Sequence, residues 1–92
     1  MNLFSSLFWM ASVCGMFEYL GHNGNGGENL GMVSSQSVCA SLCYKDPTCV
    51  AADFDRNSGV CYKHVTLTTR QRNPCCVRYE RICQAGGEYQ LH

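Results

Sequence analysis

The sequence lacks a long apolar run, an excess of either charge and any internal repeat. Seven Lys and Arg residues balance seven Asp and Glu residues, so the formal net charge is zero. A neutral chain has no net attraction for nucleic acid or for an anionic membrane surface. The N-terminal apolar run is broken at Glu18, before the roughly 20 residues that a membrane-spanning helix needs. We therefore expect no nucleic-acid partner and no membrane span.

The chain is also too short for an extensive core around a buried active site. Its 92 residues correspond to one domain. Eight cysteines place it among disulfide scaffolds, in which each cross-link stabilises the fold by about 2–4 kcal/mol. Cysteine at this density indicates an oxidising compartment. We expect a secreted domain without a catalytic site, cofactor or metal.

Residues 1–15 are uncharged, largely apolar and end in small residues, which is typical of a signal peptide. No Lys or Arg precedes the apolar run, so the amino terminus alone supplies positive charge. We predict a signal peptide over residues 1–15, one domain over 16–84 and a tail or linker over 85–92. The alternatives for the first segment are a membrane anchor, which Glu18 disfavours, and a first strand or packed terminus of the mature fold.

The first half of the domain predicts a strand, a loop and a helix. Residues 17–20 favour a short strand, and the five glycines and three asparagines of residues 21–31 favour turns and loop. Ser34 and Ser35 can cap a helix of about ten residues. That helix should end near Lys45, because proline at position 47 disfavours helical backbone in the residue before it.

The second half predicts a β-hairpin and a last strand. Residues 50–55 and 60–65 are β-prone and are separated by a turn at 56–59. A polar connection over 66–74 leads to a strand near residues 76–82. Val77 and Tyr79 should face one side of that strand, with Arg78 and Glu80 on a solvated face.

The most informative motif is the spacing of four cysteines. Cys39 and Cys43 are one helical turn apart, so they project from the same helix face. Cys49 follows after five residues and Cys61 after eleven more. With Ala51, Asp53 and Phe54 in between, and the glycine-rich stretch before the helix, the pattern resembles a PAN/apple domain from about residue 17 to residue 83.

This resemblance implies an α+β fold, in which one helix packs on an antiparallel sheet and two disulfides tie it to the central strands. The implied pairs are Cys39–Cys61 and Cys43–Cys49. Apple domains also often join their termini by a disulfide whose first cysteine would lie near Tyr19. No cysteine stands there, and Cys14 is the sole upstream candidate.

The adjacent Cys75 and Cys76 leave three alternatives. Neighbours in a strand point to opposite faces, and neither reaches Cys83 along a straight strand, because seven or eight residues span well over about 20 Å. The alternatives are a Cys75–Cys76 vicinal bridge with Cys14–Cys83, a bent strand that returns Cys83, or an intermolecular bond. Loss of Cys14 with a signal peptide would leave seven cysteines and favour a covalent partner.

A zinc site is conceivable from Cys39, Cys43, Cys61 and His64, since thiolate and imidazole bind zinc well. Disulfide formation is the favoured interpretation, because the secretory pathway oxidises such thiols and the close zinc-knuckle spacing is absent.

Catalytic and calcium sites are disfavoured too. A catalytic thiolate needs a nearby imidazole, whereas His22, His64 and His92 are far apart in sequence. Asp53 and Asp55 share a strand face and could suit calcium or a cationic ligand. A solvated outer face is the preferred interpretation of this pair.

Two sets of residues are candidates for ligand binding. The first is a basic group in the second half of the chain that could contact sulfated sugars or an acidic protein surface: Lys63, Arg70, Arg72, Arg78 and Arg81. In the second set, His22, Asn23 and Asn25 of the glycine-rich segment could hydrogen-bond a sugar. Tyr19 or Tyr62 could stack on its apolar face.

These features favour a non-enzymatic extracellular module that recognises protein or carbohydrate, as the resemblance implies. One alternative is a structural component of a matrix or filament, cross-linked through cysteines into a larger assembly. Another is a secreted cysteine-rich effector, such as a toxin or inhibitor. The predicted disulfide cysteines are Cys39, Cys61, Cys43, Cys49, Cys75, Cys76 and Cys83.

Overall fold

One helix lies on a five-stranded antiparallel sheet in the computed structural model, which describes residues 12–85. The elements are β1 (Ser12–Asn23), β2 (Glu28–Met32), α1 (Gln36–Lys45), β3 (Ala51–Asp55), β4 (Val60–His64) and β5 (Gln71–Ala85). The strand order is β1-β5-β3-β4-β2, and every paired strand is antiparallel. The predicted α+β fold is confirmed.

Helix α1 begins and ends where its sequence predicts. The Ser35 hydroxyl accepts a hydrogen bond from the Val38 N–H at 3.2 Å, which satisfies one of the free donors of the first turn. At the other end Asp46 leaves the helical conformation, ahead of Pro47. The Arg81 guanidinium donates to the carbonyl oxygens of Cys43 and Tyr44, which fixes the end of the helix to β5.

The apolar core lies between α1 and one face of the sheet. Four of its six buried residues are half-cystines: the core comprises Cys39, Cys43, Cys49, Ala52, Phe54 and Cys61. Disulfides join Cys39 to Cys61 and Cys43 to Cys49, which are the pairs that the family resemblance implies. The sulfurs therefore tie the helix to β4 and to the connection before β3, and they fill much of the core volume.

The glycine-rich segment contains more regular structure than expected. The prediction of turns and loop over residues 21–31 is wrong for most of it, because β1 continues to Asn23 and β2 begins at Glu28. Pairing with β5 and β4 supplies the backbone hydrogen bonds there, and tertiary pairing overrides the low strand propensity of Gly and Asn. The intervening residues 24–27 form a short loop, called here the glycine loop.

Strand β5 is also longer than expected, because it starts at Gln71 within the predicted polar connection. Its pairing with β1 is interrupted: Leu20 pairs with Val77, and His22 pairs with Arg72. Residues 73–76 therefore bulge out opposite Gly21. Proline is tolerated in a bulge because it has no N–H to give to the ladder, which accounts for Pro74. The vicinal disulfide Cys75–Cys76 lies in the same bulge.

The two ends of the described chain are joined by the disulfide Cys14–Cys83. The first of the three cysteine alternatives is thus the observed one. Cleavage after residue 15 would remove Cys14 from this disulfide. The predicted leader and tail otherwise lie outside the described residues. Among residues 12–85, no helix is both long and apolar enough to cross a bilayer.

Candidate functional site

Four charged or polar side chains are buried on the sheet face opposite α1. Asp53, His64, Arg78 and Glu80 are each at most 6% exposed, and together they are called the polar core here. The register explains the cluster: Asp53 of β3 pairs with Arg78, and Ala51 pairs with both His64 and Glu80. All four side chains therefore project from the same face of three neighbouring strands.

Arg78 occupies the centre of the polar core. Its Nε donates to Glu80 Oε2 at 3.0 Å and its Nη1 to Asp53 Oδ1 at 3.3 Å. Its Nη2 donates to the Thr68 carbonyl at 3.1 Å and to the Thr68 hydroxyl at 3.3 Å. A buried guanidinium requires this degree of pairing, because desolvation of an unpaired charge is costly. Arg78 is 0% exposed, and its hydrogen bonds link β5 to β3 and to the segment that contains Thr68.

The other members have partners as well. Asp53 Oδ2 lies 2.6 Å from His64 Nε2. Glu80 Oε1 accepts from Arg70 Nη1 at 3.2 Å, and the Arg70 guanidinium lies 3.8 Å from the centroid of the Tyr19 ring. Such stacking is a favourable cation–π contact. The segment between β4 and β5, which contains Thr68 and Arg70, therefore covers the part of this sheet face around Glu80.

The glycine loop covers the rest of the polar core, and two of its glycines are required by close packing. The Gly24 N–H donates to Asp53 Oδ2 at 3.1 Å, and a Cβ at Gly24 would overlap the Arg78 guanidinium. Gly27 has φ +98°, and a Cβ there would lie 2.8 Å from the His64 ring. Only glycine permits that approach with that backbone. The loop is thus fixed against buried charges.

A polar cleft of about 300 Å³ opens beside the glycine loop. Its walls come from the end of β1, the glycine loop, β3, β4 and the bulge of β5. The lining residues are Asn23, Gly24, Asn25, Gly26, Asp53, Asp55, Tyr62, Asn73, Cys75 and Cys76. This volume is at the lower end of small-molecule sites, about 300–1,000 Å³. The lining contains carboxylates, amides and a tyrosine, and no Lys or Arg.

Hydrogen bonds fix the orientation of several groups in the cleft. Gln71 Nε2 donates to the side-chain oxygens of Asn23 at 3.4 Å and Asn25 at 3.0 Å. Asn73 Oδ1 accepts from the Cys75 N–H at 3.5 Å. Asp55 Oδ1 accepts from the N–H groups of the following turn. Four polar atoms make no hydrogen bond within residues 12–85 and are therefore available to a ligand: the side-chain nitrogens of Asn23, Asn25 and Asn73, and Asp55 Oδ2.

The predicted ligand residues separate in the structure. Asn23, Asn25 and Tyr62 come together in the cleft. His22 lies in a neighbouring depression with Arg72, and its Nδ1 lies 3.0 Å from the Leu20 carbonyl. One face of Tyr19 is occupied by the Arg70 guanidinium. Three of the predicted ligand residues therefore lie in the cleft, and their role in binding stays a prediction.

The interpretation of Arg78 and Glu80 as a solvated face is wrong, and Arg78, a predicted ligand residue, is 0% exposed. Both side chains are buried because the glycine loop and Thr68 cover them. The solvated interpretation of Asp53 is wrong for the same reason. Asp55, which the sequence offered only as part of a carboxylate pair on a solvated face, lies in the cleft, as does Asn73, which the sequence did not single out. One sequence signal could have indicated the buried charges: charged residues occur in β3 and β5, which each lie between two other strands of the sheet.

Of the other four residues in the predicted basic group, three are engaged in local contacts and Arg72 is exposed; the three are Lys63, Arg70 and Arg81. Lys63 forms an ion pair with Asp46 at 2.5 Å, and this hydrogen bond, with those from Thr48, lowers the pKa of Asp46 to about 2. Arg81 binds carbonyl groups at the end of α1. Arg72 is exposed beside the second depression. The predicted basic surface is thus reduced mainly to Arg72 and the partly exposed Arg70.

The pKa of one tyrosine on the helix side of the sheet is strongly raised. Burial of Tyr79, reinforced by the nearby charge and hydrogen bond of Glu18, raises its pKa to about 12. Ionisation of the phenol would place a second negative charge beside Glu18 in a partly buried position. Tyr79 serves the packing between β5, β1 and α1 and has no access to the cleft on the opposite face.

Metal-ligating groups converge at one place in the described chain. A carboxylate oxygen of Asp55 and the sulfurs of Cys75 and Cys76 lie within 4.8 Å of one another. Both sulfurs are in a disulfide, so they lack the thiolate that binds zinc. The cysteines of the imagined zinc site are also oxidised, and His64 contacts Asp53. The arrangement suits hydrogen bonding to a ligand rather than metal binding.

A helix tied by disulfides to one face of an antiparallel sheet, with a polar cleft on the other face, defines a small disulfide-stabilised α+β domain. The sequence profile of the PAN domain matches residues 13–83, and the chain belongs to the PAN domain family. The predicted resemblance is confirmed. PAN domains are generally non-enzymatic modules that bind proteins or carbohydrates, and those with several disulfides are typically extracellular. Comparison with curated proteins and with solved structures finds no match.

Proposed function

We propose that this chain is a secreted, non-enzymatic recognition module that binds an extracellular protein or glycan through the polar cleft. The observation that carries the proposal is the set of side-chain amide and carboxylate groups that the glycine loop and the β5 bulge hold open to solvent. A rigid framework that displays polar groups from loops is the usual arrangement of a binding site. Membership of the PAN family supports the same function.

The disulfides favour this function over a cross-linked matrix component. The eight cysteines all lie within residues 12–85, and all are paired there within one chain. A domain in that state has no thiol to offer a neighbour. We propose further that any cleaved leader ends before Cys14, so that the Cys14–Cys83 disulfide is retained in the secreted protein.

The proposal predicts that filling the cleft abolishes binding without unfolding the domain. The oxidised domain is applied to arrays of extracellular proteins and glycans, and the ligands found are measured by surface plasmon resonance. Asn25→Trp should weaken binding at least tenfold, because Asn25 is an exposed cleft residue and an indole there occupies the ligand's volume. Lys45→Trp, an exposed substitution on the helix side, should leave affinity unchanged.

Near-UV circular dichroism of both variants should match the parent spectrum. Equal affinities of Asn25→Trp and the parent for every ligand found would contradict the assignment of the cleft. A ligand lost with Lys45→Trp alone would move the binding surface to the helix side.

A further inference from the structure

The chemistry of the cleft identifies a class of ligand, an inference that rests on the proposed function. We propose that the cleft binds an uncharged sugar residue with adjacent hydroxyl groups, and that it rejects sulfated and carboxylated sugars. Asp55, Asn73 and the vicinal disulfide Cys75–Cys76 join Asn25 and Tyr62 as its contact residues.

Adjacent sugar hydroxyls each donate one hydrogen bond and accept others, so they require acceptors and donors side by side. The cleft supplies both. Asp55 offers carboxylate Oδ2 as an acceptor, because its Oδ1 is occupied by the Asn57 and Ser58 N–H groups. The amide nitrogens of Asn25 and Asn73 are donors, because their oxygens accept from Gln71 and from the Cys75 N–H.

A sugar ring also has an apolar face of C–H groups. Tyr62 and the vicinal disulfide provide apolar surface among the polar lining residues. The aromatic ring of tyrosine combines an apolar body with a polar tip, and sulfur is polarisable. The disulfide lies directly beside the acceptor, since its sulfurs are within 4.8 Å of the Asp55 carboxylate. Apolar contact and hydrogen bonding thus converge on one small volume.

Charge determines which sugars fit. The lining contains two carboxylates and no Lys or Arg. The guanidinium of Arg78 is buried and engaged with Asp53, Glu80 and Thr68, and that of Arg56 donates to the carbonyl oxygens of Pro74 and Cys75 at the edge of the cleft. A sulfate or carboxylate group entering the cleft would face the like charge of Asp55, and both neighbouring guanidinium groups already have protein partners, which disfavours binding. The sequence-based expectation of sulfated sugars depended on basic residues that the fold largely uses elsewhere.

The test is an NMR titration of the ¹⁵N-labelled oxidised domain. The probes are methyl glycosides of glucose, galactose and mannose, N-acetylglucosamine, and a sulfated disaccharide derived from heparin. At least one neutral sugar should shift the amide signals of Gly24, Gly26 and Asn73 at millimolar concentration. Asp55→Asn keeps an oxygen for the turn but replaces the free acceptor, and it should weaken that binding at least tenfold. Asn57→Ala, in the adjacent turn, should not change it.

Several results would overturn the inference. These are a sulfated disaccharide that shifts the cleft signals more strongly than every neutral sugar, neutral-sugar affinity unchanged by Asp55→Asn, and no shift with any neutral sugar. If the array ligands still bind and are still lost with Asn25→Trp, the last result rejects the sugar while the proposed function stands. If Asn25→Trp has no effect on any ligand, the proposed function itself fails.

Discussion

Replacing Arg78 by methionine is expected to lower the free energy of unfolding by about 3–5 kcal/mol, the usual cost of removing one partner from a buried ionic network. The substitution keeps most of the side-chain volume but leaves the carboxylates of Asp53 and Glu80 buried without their shared cation. It also removes the donors to Thr68. Urea unfolding of the oxidised protein, followed by far-UV circular dichroism, measures the change.

Arg72→Met is the matched control, because Arg72 is an exposed residue of the same strand. Its effect should remain within about 0.5 kcal/mol, as for most surface substitutions. Equal stability of the two variants would show that the polar core contributes nothing to folding. The Arg78 variant should also lose ligand affinity, since Asp53 holds the Gly24 N–H of the glycine loop.

Removing the disulfide Cys39–Cys61 is expected to lower the free energy of unfolding by about 3–5 kcal/mol. The bridge closes a segment with a sequence separation of 22 residues, so its loss increases the entropy of the unfolded chain. Both half-cystines are 0% exposed in the apolar core, so the double variant Cys39→Ala/Cys61→Ala also leaves a cavity there. Urea unfolding, with the other three disulfides verified by mass spectrometry, gives the value.

The comparison is Cys43→Ala/Cys49→Ala, whose bridge has a sequence separation of only 6 residues. A shorter loop loses less entropy on closure, and the expected cost is about 2 kcal/mol. The reverse order of the two double variants would contradict the assignment of Cys39–Cys61 as the principal tie between α1 and the sheet.

The elements with local signals could be predicted from the sequence. Helix α1 has a serine cap and a proline just beyond its end, and the β3–β4 hairpin has two β-prone runs around a turn. Each signal lies within a few residues of its effect. The long strands β1 and β5 have no such signal. Their pairing joins residues far apart in sequence, including Cys14 and Cys83, and their glycine, asparagine and proline residues disfavour strand.

The polar core could not be predicted because alternation of polar and apolar residues normally indicates one solvated face. In β3 and β5 the alternation is present, but the glycine loop and Thr68, which are distant in sequence, cover the second face. Asp53, Arg78 and Glu80 therefore satisfy one another rather than water. Of the cleft, Asn23, Asn25 and Tyr62 could be predicted as polar or aromatic groups near a glycine-rich segment. That Asp55 and Asn73 lie in the cleft follows only from the strand register and the bulge of β5.

The two faces of the sheet are thus stabilised by different interactions. Disulfides and a small apolar cluster stabilise the helix side. On the other side, buried charges fix a loop whose glycines allow it to lie directly on them. This division explains how so small a domain holds an open polar cleft: the Gly24–Asp53 hydrogen bond and the close packing of Gly27 on His64 hold the loop on the polar core, and Asn25 and Gly26 stay exposed.

Disulfide peptide mapping of the native protein, with intact mass under non-reducing conditions, tests the central claim most directly. The claim is that the chain pairs all eight of these cysteines internally, as the proposed recognition module requires. We predict a monomer with the pairs Cys14–Cys83, Cys39–Cys61, Cys43–Cys49 and Cys75–Cys76. A disulfide-linked multimer, or a mature chain without Cys14, would contradict it and favour a cross-linked structural component.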